Sequence, residues 1–163
     1  MTKFVAAVLA LYSCILIETS LPHLPSRIPV HFNLAGQPDG WGSPHTLWVL
    51  LGSQVLIAGL LLSMSIWGRR FPQAVHLGTR RLSDFTPAQR QRVWPLLDQM
   101  AGWMSVAAGL FFVDIIRESI RAAESSRPRF HQAGAPLVFV VVMVGLALYY
   151  MWRINKAANA AGD

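Results

Sequence analysis

Charge is scarce in this chain: 13% of its 163 residues are charged, with 14 basic against 8 acidic. Apolar residues make up 53% and the mean hydropathy is +0.40. That is too little polar surface to cover a soluble domain, so the expected setting is a membrane. There is one cysteine, Cys14, which excludes an intramolecular disulfide framework. No domain linker, low-complexity tract or internal repeat is present. Also missing are a serine-histidine-aspartate order, a phosphate-binding loop and a paired-carboxylate arrangement, so an enzyme is not expected. The sequence pI near 10.5 comes without a helix-turn-helix pattern or an aromatic-interleaved basic module, and nucleic acid is not an expected partner.

What the chain does have is long apolar runs. Residues 47–67 are 21 residues without a charge, and residues 133–152 are 20; each matches the roughly 20 residues that cross about 30 Å of hydrocarbon. Trp48 and Trp67 stand at the ends of the first of these runs, where indoles mark the two interfaces. The uncharged run 4–17 reaches spanning length only with Glu18 and Leu21 included, which places Glu18 about one turn inside the helix end. A fourth run, 99–113, lies between Asp98 and Asp114. Thr86-Pro87 reads as a helix start upstream of it, and Arg117, Glu118, Arg121 and Glu124 continue the helical pattern beyond it. Pro95 is expected either to kink this helix or to separate an interfacial helix, 87–94, from the span. The fold class is thus an all-α integral membrane protein: one domain with helices at about 4–21, 47–67, 95–116 and 133–152, a structured loop over 22–45 and a basic loop over 68–93.

Leu11-Tyr12-Ser13-Cys14 after Lys3 has the outline of a lipoprotein signal. However, Tyr12 is bulky for such a box and Ile15-Leu16-Ile17 would leave a greasy mature start, so a retained helix is expected. Orientation follows the cations. Lys3, the six arginines between 69 and 92, Arg153 and Lys156 fall on one side; Arg27, Arg117, Arg121, Arg127 and Arg129 fall on the other. Nine against five puts both termini in the cytoplasm and the 22–45 loop outside. The basic loop then lies against anionic headgroups.

The external loop holds the densest polar chemistry. Pro22, Pro25 and Pro29 favour extended backbone, and Gln37-Pro38-Asp39-Gly40 has the residues of a tight turn. His31, Asn33 and Asp39, with His23, His45 and Glu18 nearby, supply nitrogen and oxygen donors, but their spacing matches no strong metal motif. The plainest reading is a scaffold in which Asn33 and Asp39 bond backbone amides. The second is ligand or peptide recognition through His31, Asn33, Asp39 and Trp41 on a frame of Pro25, Pro29, Gly36, Pro38 and Gly40. Metal binding or catalysis comes third, and neither a bound metal nor a cofactor is expected.

The pattern Pro25-x-x-Ile28-Pro29-x-His31-Phe32-Asn33-x-x-Gly36-x-Pro38-Asp39-Gly40-Trp41-Gly42, directly after a first membrane helix, resembles the signature of the bacterial SdpI-like membrane family, catalogued as domain of unknown function 1648. The resemblance covers about the first third of the chain. It implies a multi-pass protein of the bacterial cytoplasmic membrane. By analogy with the better understood members, it also implies immunity to a secreted peptide toxin, relayed to a cytosolic regulator. Family members usually carry a lysine soon after the glycine matching Gly42, where this chain has Ser43-Pro44-His45. SdpI-type immunity proteins also have further helices.

Three intramembrane acids complete the list. Glu18 and Asp114 are expected near the external end, within reach of Arg117 or a loop histidine, as interfacial ion pairs. Asp98 shares a helical face with Gly102, Ser105 and Gly109 and is expected to point into the bundle. Those small residues, and Gly52, Gly59 and Ser63 on the second helix, read as matching seams for close helix approach. Ranked first is a small membrane protein that senses or binds a peptide, lipid or envelope component, alone or as a homo-oligomer. A small transporter or channel subunit using the acids is the alternative, and a loop-based metalloenzyme is a lesser one.

Overall fold

The computed structural model describes residues 1–33, 35–77, 80–125 and 134–159. Four helices carry the architecture: α1 (Thr2–Ser20), α2 (Thr46–Arg70), α3 (Pro87–Glu124) and α4 (Ala135–Asn159). Each is long and apolar enough to cross a membrane. Position 133, where the fourth apolar run starts, lies outside the described residues, as do Arg127 and Arg129.

Helix α3 begins where its sequence signals a start. The Thr86 hydroxyl accepts from the Gln89 amide at 3.3 Å while the Gln89 side chain accepts from the Thr86 amide at 2.9 Å, with Pro87 as the first helical residue. This reciprocal box satisfies donors that a helix start otherwise leaves open. The Gln89 side-chain amide also donates to the Ala158 carbonyl at 2.8 Å, tying the start of α3 to the end of α4. Pro95 neither ends the helix nor splits off an interfacial one, because α3 runs unbroken through it for 38 residues. At 1.5 Å per residue that is about 57 Å, well beyond the hydrocarbon thickness.

The other three helices all pack on α3. In its most apolar stretch α3 is 44% buried, against 6% for α2 and for α4. Side chains such as Leu56, Leu60, Val138 and Val141 therefore face outward, as lipid-facing residues do. Small residues of α3 form its contact with α1. A Cβ on Gly102 would fall 2.1 Å from the Thr2 hydroxyl, and one on Gly109 would fall 3.0 Å from Leu9 Cδ1. Both partners advance together along their chains, so α1 and α3 run parallel. The seam expected on α2 is absent: neither Gly52 nor Gly59 has a neighbour within 4 Å of its added Cβ, and the Ser63 hydroxyl bonds the Leu60 carbonyl of its own helix. Helix α4 meets α3 through Phe139 stacked on Phe111 at 4.2 Å and, near the other end, through Ile154 and Ala158 clustered with Val93 and Leu96 of α3 and with Leu82 and Phe85 of the segment before it.

The chain is mostly helical, at 78%, and two short antiparallel ribbons stand in its connections among the described residues. Strands β1 (Ile28–Phe32) and β2 (Pro38–Gly42) form an antiparallel hairpin between α1 and α2. A shorter ribbon, β3 (His76–Leu77) with β4 (Arg80–Arg81), lies in the basic connection. The tight turn also moves relative to its sequence signal. Pro38-Asp39-Gly40 is strand, Pro22 sits in a single 3-10 turn over Leu21–His23, and the chain reverses between Asn33 and Gln37. A turn signal in Pro-Asp-Gly gave way because the neighbouring Asn33 offers a stronger one. Its side-chain oxygen accepts from the amides of Ala35 and Gln37, both at 3.0 Å, and Gly36 supplies a φ of 71°.

The hairpin is anchored rather than suspended. Ile28 is fully buried in a cluster with Ile17 of α1, Leu47 of α2, and Ile116 and Ile120 of α3, a burial worth about 1.5–3 kcal/mol for one such side chain. The two ends of the molecule thus differ: a hairpin end and, at the far side of the apolar layer, a basic end.

Candidate functional site

The hairpin register explains which side chains meet. Pro29 opposes Trp41, His31 opposes Gly40 and Phe32 opposes Pro38, which leaves Val30 and Asp39 as extra residues on their strands. Such bulges re-aim side chains. The bulge at Asp39 turns its carboxylate to His31, whose Nδ1 lies 2.5 Å from Asp39 Oδ1. Gly40 makes room for this: a Cβ there would stand 2.8 Å from His31 Cβ. The pair faces solvent, with side-chain exposures of 72% for His31 and 44% for Asp39, and Trp41 is also exposed.

Below the pair, β1 forms one wall of a cavity of about 360 Å³. Its other walls are Leu47 and Leu50 of α2, Ile115 and Ser119 of α3, and Pro136 at the start of α4. The same strand therefore presents a polar, exposed His31–Asp39 pair at the surface and an apolar recess toward the helices. That combination suits an amphipathic ligand lying at a membrane surface.

Other expected residues are placed differently. Asn33 is committed to the turn through its acceptor oxygen, bonded to two backbone amides, and it also stands in the lining of the cavity. Pro29 and Gly36 are buried, and Pro25 and Pro38 lie on the frame around them. His23, His45 and Glu18 are exposed and are not joined to the pair. Among the described residues, no three His, Cys, Asp or Glu side chains come together into a set able to hold a metal ion.

Asp98 does not enter the bundle. Its carboxylate bonds Arg69 at 2.7 Å, at the basic end, because the last turn of α2 reaches that level and offers a guanidinium. Gln54 of α2 is deep between helices, where it accepts from the Ser13 hydroxyl at 2.8 Å. Asp114 lies half-buried on a cleft between α3 and α4 beside Phe111 and Phe139. Neither Glu18 nor Asp114 makes an ion pair among the described residues. Glu118, on the part of α3 that continues past the apolar run, is 1% exposed and pairs with Arg121.

Sequence reasoning overlooked the Ser13–Gln54 bond. Its signal was Gln54 itself, the one amide side chain in a 21-residue charge-free run, a residue type that bonds across helices in lipid.

Residues 8–55 match the family model described as Domain of unknown function (DUF1648). The match covers most of α1, the whole hairpin and the first part of α2, and it ends one residue after Gln54. Helices α3 and α4 lie outside it. No curated protein and no solved structure matches the chain.

Proposed function

We propose that this chain is a multi-pass membrane protein whose hairpin end binds a membrane-associated peptide at the extracytoplasmic surface, for immunity or for signalling inward. The observation that carries the reading is the sharing of β1 between the exposed His31–Asp39 pair and the apolar cavity of about 360 Å³. A peptide lying at the interface would set a polar group on the pair and an apolar side chain in the recess.

Charge supports the orientation. Among the described residues the basic end holds Lys3, Arg69, Arg70, Arg80, Arg81, Arg90, Arg92, Arg153 and Lys156, against Asp84 and Asp98. The hairpin end holds Arg27, Arg117 and Arg121 against Glu18, Asp39, Asp114, Glu118 and Glu124. By the positive-inside rule the basic end is cytoplasmic and both termini lie there, in a bacterial inner membrane. A transport role draws no support from the acids: Asp98 is bound to Arg69 at one end and Glu18 is exposed at the other.

The test is a deletion strain challenged with secreted antimicrobial peptides and envelope stress, complemented with wild type, His31→Ala or Asp39→Ala. Wild type should restore resistance, and both variants should fail while reaching the membrane in normal amount. A deletion strain with unaltered sensitivity to every challenge would end the immunity reading.

A further inference from the structure

At the basic end, a second cavity of about 260 Å³ opens between α2, α3, α4 and the β3–β4 ribbon. Four of the chain's six methionines, Met64, Met100, Met104 and Met151, line it together with Trp94 and His76. Thioether side chains are unbranched and polarizable, so a wall made of them adapts to a flexible apolar guest. Met100 and Met104 are four residues apart on one face of α3. Met64 and Met151 are 61% and 40% exposed on the lipid-facing helices α2 and α4, so the mouth opens sideways at hydrocarbon level. The volume falls below the ~300–1,000 Å³ usual for drug-sized ligands, which favours a single slim chain.

Arginines stand next to the lining residues. Arg69 lies 5.1 Å over the Trp94 ring. On the ribbon, His76 and Leu77 line the cavity, and their register partners are Arg81 and Arg80. Neither acid at this end forms an ion pair with the ribbon arginines among the described residues: Asp98 pairs with Arg69, and the Asp84 carboxylate accepts from the Arg81 backbone amide and the Ser83 hydroxyl.

We infer that this cavity is a binding site for one anionic phospholipid, with an acyl chain among the methionines and its phosphate on the ribbon arginines. Charge complementarity selects the headgroup, and the apolar lining selects the chain.

Native mass spectrometry of the full-length protein released from detergent tests this. The probes are phosphatidylglycerol, phosphatidylcholine with the same acyl chains, and inorganic phosphate. One phosphatidylglycerol should be retained in preference to phosphatidylcholine, and phosphate alone should not be retained. Arg80→Gln with Arg81→Gln, both on the exposed ribbon, should lower phosphatidylglycerol retention about fivefold per arginine removed. Met104→Trp, which fills the cavity, should lower retention of both lipids; thermal melting checks that each variant is folded. Equal retention of the two lipids overturns the proposal, as does phosphatidylglycerol retention unchanged by the double arginine variant. Retention of phosphate alone as strongly as the lipid would overturn the acyl-chain assignment.

Discussion

Ser13 donates a 2.8 Å hydrogen bond to Gln54 across 41 positions of chain, with Ser13 fully buried and Gln54 2% exposed. It links α1 to α2 near the level where Gly109 of α3 approaches; a Cβ on Gly109 would lie 3.7 Å from Gln54 Nε2. That nitrogen has no partner among the described residues, so Ser13 supplies the one side-chain bond this amide makes.

The two deletions of this bond should therefore differ. Gln54→Leu leaves a serine hydroxyl that can turn to a carbonyl of its own helix, and it removes the unpaired nitrogen. Ser13→Ala leaves a whole amide buried without a partner. The expected loss is about 1 kcal/mol for Ser13→Ala and less for Gln54→Leu, read as the order of melting temperatures in detergent. A lower melting temperature for Gln54→Leu would reverse the argument.

Glycine substitutions should separate a contact seam from a lipid face. Gly109→Leu forces bulk against Leu9 and should lower the melting temperature by several degrees, whereas Gly59→Leu meets no neighbour and should be neutral. Equal effects at the two positions would mean that α1 does not pack on α3 as described.

In the hairpin, Gly40→Ala should disturb the His31–Asp39 pair as much as Asp39→Ala does, because the new methyl group meets His31 Cβ. Both should be scored in the sensitivity assay, with membrane levels near wild type since the helices are untouched. Normal protection by Gly40→Ala would show that the pair's geometry is not needed.

The turn makes a separate demand. Gly36 has a φ of 71°, so Gly36→Ala should cost about 1 kcal/mol. Asn33→Ala removes the acceptor for two amides and should raise hydrogen exchange at Ala35 and Gln37, while Asn33→Asp should not. Unchanged exchange in Asn33→Ala would remove Asn33 from the turn.

Topology can be read with single cysteines in a Cys14→Ser background. Ser43, exposed beside the hairpin, should react with an impermeant reagent added to intact cells, and Ser83, exposed at the basic end, should not. Labelling at position 83 alone would invert the orientation.

The helices were legible because their signals are local. Runs of 20 or so apolar residues, the Thr86-Pro87 start and the small face at Gly102, Ser105 and Gly109 can each be read within one segment, and the structure uses all of them. The hairpin was legible only as a shaped loop. The Pro-Asp-Gly signal and the Asn33-to-Gly36 signal are both valid turn chemistry, and choosing between them needs the register of two strands. The meeting of His31 with Asp39 likewise depends on bulges that no single strand encodes.

By itself, the sequence determined that four apolar segments exist and that polar chemistry concentrates between the first two. Tertiary structure decided which faces touch: α1 most closely against Gly102 and Gly109 of α3, Asp98 to Arg69, Gln54 to Ser13, and β1 over a cavity. The physical reason is that lipid tails are as apolar as leucine, so hydropathy identifies a spanning helix without distinguishing its lipid face from its protein face. Partner choice rests on close fit and on paired polar groups, which exist only once the helices are side by side.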